Sequence, residues 1–308
     1  MLNKLAYFTI ILMSLIMLSC GAGTVGQGAK VDSTQPVTKS GRLAENEVWS
    51  GNILVADDVT VPEGVTLTIQ PGAIVGCSTE GKPLTLTVNG TLYAEGDEQE
   101  RILFTSLTRD HQPGGWDGIV FGKSSLNSRL SFCIIQYHQQ ILCRSDSVNI
   151  ANNVITSGGT AGITCDLASP VVENNELTKN EVAIKCLGDA APEISRNLIQ
   201  ANTFGIICED DAVPNIFRNV ISDNRQDGIT CYGTAMPTIT SNNILRNGGW
   251  AVYDGGRLSD NFIKGNNKAG PNAVDTGRSP TSTQYYGIDE IEQPRGSAVM
   301  EAGPHQHR

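Results

Sequence analysis

From residue 150 to residue 263, apolar and polar positions recur together about every twenty-two residues. Asparagines stand at Asn153, Asn175, Asn197, Asn219, Asn242 and Asn261, at intervals of 22, 22, 22, 23 and 19. Two positions after each is an aliphatic residue: Ile155, Leu177, Ile199, Ile221, Ile244 and Ile263. Three positions before each is another: Ile150, Val172, Ile194, Ile216, Ile239 and Leu258. A second asparagine follows five positions on, at Asn180, Asn202, Asn224, Asn247 and Asn266. Prolines (Pro170, Pro192, Pro214, Pro237) and cysteines (Cys143, Cys165, Cys186, Cys208, Cys231) keep the same step. A fixed period of this length marks stacked units, none of which can bury its apolar face alone. Inside each unit the pattern alternates, as in Ile163-Thr164-Cys165, Ile184-Lys185-Cys186, Ile206-Ile207-Cys208 and Ile229-Thr230-Cys231, which predicts strands. A helical pair needs roughly 33 residues per repeat, and Asn, Gly, Thr and Pro disfavour helix. Each unit therefore reads as one coil of a parallel β-solenoid, stacked at about 4.8 Å.

The asparagines fit that reading chemically. At a corner of a coil the backbone leaves the ladder and its amide and carbonyl groups need partners. A side-chain amide carries donors and an acceptor, so a column of Asn can bond its neighbours and the turn. Asn is also expected to take the left-handed conformation that such corners demand. This row resembles the asparagine ladders of right-handed parallel β-helix proteins, the pectin-lyase-like superfamily. The resemblance covers roughly residues 45 to 267 and implies an all-β, single-domain right-handed parallel β-helix of about ten coils, a rod of roughly 50 Å. It implies no particular activity.

Around that domain the chain divides readily. Residues 1–19 read as a secretory signal, with Lys4 as its positive end and Tyr7 to Leu18 as an apolar run too short to span a membrane. Met17-Leu18-Ser19-Cys20 resembles the lipobox of bacterial lipoproteins, which implies lipidation at Cys20 and a place in the bacterial cell envelope. Residues 20–42 read as a flexible tether rich in Gly, Ser, Thr and Gln, 43–267 as the β-helix, and 268–308 as an irregular tail. Between residues 45 and 121, alternating strands punctuated by Pro62-Glu63-Gly64, Pro71-Gly72 and Asn89-Gly90 form the opening coils. They are expected to cap the stack against edge pairing.

Charge narrows the partners. The chain carries 22 basic and 32 acidic residues, a formal charge of −10. That balance disfavours nucleic acid and electrostatic adhesion to anionic lipid, so the expected membrane contact is the N-terminal acyl chain and the expected state is monomeric.

Four groups of residues could carry chemistry. The cysteine column faces inward in the alternation, so it reads as a buried structural ladder in preference to disulfides or a metal centre. Asp189, Asp210 and Asp211 sit at corners one coil apart and are the candidate Ca²⁺ ligands, against the plainer reading of solvated turn residues. A polysaccharide lyase or glycoside hydrolase needs outward carboxylates, yet the outward row Thr164, Lys185, Ile207, Thr230, Tyr253 holds none, and all four histidines lie outside the regular coils. Finally Phe217, Tyr232 and Tyr253, with Trp250, are expected to lie near one another and to stack sugars. The function these features favour is a non-catalytic binding or structural module for carbohydrate; the alternative is a polysaccharide-cleaving enzyme.

Overall fold

The computed structural model describes residues 35–78, 82–108 and 110–267. The signal segment, Cys20 and the tail from 268 lie outside the described residues, so their expectations stand as they were stated. The described chain is a right-handed parallel β-solenoid of ten coils without helices. Each regular coil contributes one strand to each of three faces. The first face is a separate ten-stranded sheet running from Glu47–Trp49 to Arg257–Ser259. The second and third faces are joined in one 19-stranded sheet.

Register keeps like residues over like. Along the first face Leu130, Ile150, Val172, Ile194, Ile216, Ile239 and Leu258 lie in line. Along the second, the line is Phe104, Ile135, Ile155, Leu177, Ile199, Ile221, Ile244 and Ile263. Along the third, Ile119, Ile141, Ile163, Ile184, Ile206, Ile229 and Val252 run beside Phe121, Cys143, Cys165, Cys186, Cys208 and Cys231. A one-residue slip would turn every one of these side chains outward, so the alternation fixes the pairing. The five column cysteines are free, buried and inward, in register with one another. Burial pushes the Cys143 thiol well up, which keeps it a small apolar filler rather than a nucleophile.

Two asparagine ladders close two of the three corners. In the middle of the first, Asn197 Oδ1 accepts the backbone N–H of Asn175 at 2.9 Å and its Nδ2 at 3.1 Å. Asn197 Nδ2 donates to Val172 O at 2.9 Å and to Asn219 Oδ1 at 3.0 Å. The same four bonds repeat along the second ladder, where Asn202 Oδ1 accepts from Asn180 and Asn202 Nδ2 donates to Leu177 O and Asn224 Oδ1. The left-handed residue, however, is not the ladder Asn. It is the residue before it: Asn152, Asn174, Arg196, Arg218, Ser241 and Asp260 have φ between 54° and 59°. Lys179, Ala201, Asp223 and Arg246, with φ between 51° and 57°, stand in the same way before the second ladder. Each such residue costs about 1–2 kcal/mol in that conformation, and the amide bonds of the next residue offset it.

The stack also starts earlier than the chain pattern suggests. Val37–Arg42, inside the stretch read as tether, is a strand pairing in parallel with Asn52–Val61. It has no alternating apolar side chains and lies almost wholly exposed, so nothing in its sequence marked it as a strand. Its Lys39 and Arg42 place charge on the outermost strand, which discourages a further strand from adding there.

Candidate functional site

The outer surface of the third face gathers most of the exposed rings. Its strands Val182–Leu187, Phe204–Cys208, Ile229–Cys231 and Val252–Tyr253 present three outward lines. The middle line is Thr164, Lys185, Ile207, Thr230 and Tyr253, paired coil to coil. On the corner side run Ala161, Val182, Phe204, Asp227 and Trp250, and on the other side Asp166, Leu187, Glu209 and Tyr232. Successive coils place neighbours in a line about 4.8 Å apart, close enough for one extended ligand to touch several.

The rings form a group at the end nearest residue 253. Tyr232 is 45% exposed and Tyr253 37%. Their ring centroids are 6.4 Å apart at 61°, and Trp250 lies 6.2 Å from Tyr253 at 38°. Toward the other end of the same face, Ala161, Val182 and Ile207 pack with Phe204 into a small apolar cluster outside the main core. Such a surface combines flat apolar area with polar edges.

Polar groups border the rings. Asp227 Oδ1 accepts the backbone N–H of Trp250 at 2.6 Å, and Asp227 Oδ2 accepts the Thr230 hydroxyl at 3.2 Å. Those two bonds fix the carboxylate beside the aromatic group. Glu209 lies 3.1 Å from Lys185 Nζ. The Tyr232 hydroxyl is held above its ordinary pKa, first by partial burial and then by its neighbours Asp227, Tyr253 and Glu209. The outward row by itself contained no carboxylate. Asp227 was missed because it lies three residues before Thr230, in the turn, and only the fold of the corner swings it onto the face. The spacing of Asp227 from Trp250 by one period of 23 was the signal available.

Other expected site residues are placed elsewhere. Phe217 belongs to the first face, half-buried between Ser195 and Thr240, and so does not join the tyrosines. It was read as a neighbour because it is close in sequence to the repeat, but its strand lies on another side of the coil. Asp189, Asp210 and Asp211 are exposed at turns. Asp210 Oδ2 accepts the Gly188 N–H at 3.2 Å, and Asp211 accepts the Thr234 hydroxyl. Among the described residues no three His, Cys, Asp or Glu side chains converge as a metal cage. Two of these aspartates serve as turn hydrogen-bond acceptors, which is what Asp does in such loops.

Comparison with known proteins agrees with the fold. Residues 139–284 match the family model described as a right handed beta helix region, and residues 41–133 match the pectate-lyase like beta helix domain. No curated protein matches the sequence. Among solved structures, the periplasmic alginate epimerase AlgG is similar at 15% identity and a TM-score of 0.53, over 75% of this chain and 68% of that one. A point mutant of the same epimerase is similar at 13% identity and a TM-score of 0.47, over 75% and 68%. At these identities the likeness is one of fold.

Proposed function

From the premise that this chain is a pectate-lyase-like right-handed β-helix protein, we propose that it is a non-catalytic carbohydrate-binding rod, anchored at the bacterial envelope through Cys20. The observation that carries the reading is the group formed by the exposed Tyr232 and Tyr253 with the half-buried Trp250, and the Asp227 carboxylate fixed beside it. Sugar rings present axial C–H groups that pack on aromatic faces, while their hydroxyls donate to carboxylates held at the edge. A rigid sheet supplies both at fixed spacing, so little ordering is needed on binding. The surrounding columns extend along the rod, which suits a polymer better than a single sugar.

The test is binding of the purified protein to a panel of oligosaccharides, alginate among them because the similar epimerase is named for it. Isothermal titration should show binding that Tyr253→Ala weakens by about tenfold, the effect of losing roughly 1.4 kcal/mol of stacking. The absence of binding to every glycan in the panel would overturn the proposal. For the anchor, replacing Cys20 by Ala should release the protein from the membrane fraction.

A second reading, a polysaccharide-modifying enzyme, draws on Asp227 and Glu209 standing on one face, with Lys185 paired to Glu209. Reducing ends, unsaturated products or epimerised sugars appearing on incubation, and abolished by Asp227→Asn, would establish it in place of the binding module.

A further inference from the structure

We propose that the ring-bearing face selects glycans with free amino groups, polymers of amino sugars in their ammonium form, over neutral glycans and above all over polyuronates. This rests on the carbohydrate-binding reading above and adds the ligand's charge to it. The rings Tyr232, Tyr253 and Trp250 are bordered by Asp227, Glu209 and Asp254, with Asp210 and Asp211 at the next turn. On the middle line of this face Lys185 is held by Glu209 at 3.1 Å. Lys185 is therefore neutralised where it stands and the face carries a surplus of negative charge. Partial burial first, and then the Asp227 and Glu209 carboxylates, hold the Tyr232 phenol above its ordinary pKa.

Both local and global charge point the same way. A polyuronate brings a carboxylate with every sugar, and each would approach a face bearing several carboxylates on a chain of net charge −10. Like charges so placed repel and desolvate at a loss. An ammonium group reverses the sign at every step. Over the face of Tyr232 or Tyr253 it gains the attraction of the ring quadrupole, which strengthens as the contact is desolvated. Beside Asp227 it gains a charge-assisted hydrogen bond to a carboxylate whose Oδ1 accepts the Trp250 N–H and whose Oδ2 accepts the Thr230 hydroxyl. Because Asp227 is fixed by those bonds, no side-chain ordering opposes the contact. Repetition along a polymer then places further ammonium groups near Glu209 and the acidic turn.

The experiment compares three oligomers of equal length by isothermal titration against the intact purified protein: glucosamine, N-acetylglucosamine and a uronate. The expected result is at least tenfold tighter binding of the glucosamine oligomer than of its N-acetylated form, with the uronate weakest. Asp227→Asn keeps an acceptor for the Trp250 N–H and should reduce the preference for glucosamine to within about threefold. Tyr253→Ala should weaken both amino-sugar oligomers together. Glu63→Gln, at an exposed turn among the opening coils, should change neither, which separates this face from general attraction to an acidic protein. Equal affinity for the free and acetylated oligomers, or an undiminished preference in Asp227→Asn, would overturn the charge selection and leave the carbohydrate-binding reading standing. Tightest binding of the uronate would overturn the selection too. No binding of any of the three oligomers would overturn the charge selection, and failure of the whole oligosaccharide panel as well would overturn the carbohydrate-binding reading.

Discussion

The coils before Cys143 and those after it build the same cross-section from different parts. The largest fully buried side chains, Trp49, Trp116, Phe104 and Phe121, all lie in the first group. After Cys143 every buried apolar side chain in the described core is Val, Ile, Leu, Ala or Cys. The asparagine ladders belong only to the second group. In the opening coils, strands vary in length and the turns are irregular, so corners are closed by backbone bonds such as Gly72 N–H to Glu100 O and Gly96 N–H to Ser131 O, and rings fill the uneven interior. In the regular coils each layer repeats the last, so a branched aliphatic fills most inward positions and one amide satisfies the turn at each of two corners. Regular stacking needs polar order at its corners; irregular stacking needs bulk in its core.

The two schemes meet at one coil. Cys133 stands in the first ladder's line: its N–H donates to Asn153 Oδ1 at 2.9 Å, and its thiol donates to Ala94 O at 3.4 Å. Phe132 before it has the ladder's left-handed φ of 49°. His138 follows another such residue, Tyr137 at 59°. Its Nε2 contacts Gly162 O at 3.2 Å, its Nδ1 has no partner, and its ring lies 6.3 Å from Trp116. Burial drives the His138 pKa down to about 4.

Four changes would break or sharpen this contrast. The largest effect is expected from Asn197→Ala, which removes an acceptor from the buried Asn175 N–H and amide and a donor from Val172 O. Orphaning buried groups at about 1–3 kcal/mol each predicts a loss of roughly 4 kcal/mol or more in denaturant unfolding; a loss under 1 kcal/mol would mean that the ladder is not what holds the regular coils. Next, Trp116→Ala should cost about 3–5 kcal/mol, because the opening coils have no ladder to share the load. A protein that unfolds in two steps would show the first step alone moving with this variant and the last with Asn197→Ala.

The third concerns pH at the junction. A histidine whose folded pKa is depressed takes up its proton more readily when unfolded, so the fold is unaffected well above pH 6.5 and loses stability as pH falls toward 4. From 6.5 to about 4, linkage gives roughly 3 kcal/mol. Comparing His138→Asn with the parent at pH 7 and pH 4 should show the parent losing about that much more; parallel losses would refute it. The smallest effect belongs to the exposed Arg246–Asp223 pair, two bonds of 2.8 and 2.7 Å outside the second ladder. Arg246→Ala should cost less than about 1 kcal/mol in thermal melts, since both groups are solvated.

The repeat, its three apolar lines, the inward cysteines and the asparagine ladders were all legible in the chain, because a solenoid sets each residue over its counterpart one period away. Sequence separation then reports spatial neighbourhood directly, and alternation reports inside from outside. What the linear pattern could not decide was which way the corners turn. That geometry assigns the left-handed conformation to the residue before each ladder Asn, carries Asp227 onto the ring-bearing face, sends Phe217 to another side, and keeps Asp189, Asp210 and Asp211 from converging. It also recruits Val37–Arg42 as a strand, since an outermost strand bonds through its backbone and needs no apolar side chains of its own. Periodicity specifies layers along the rod; only the folded turns specify the angle at which each side chain leaves it.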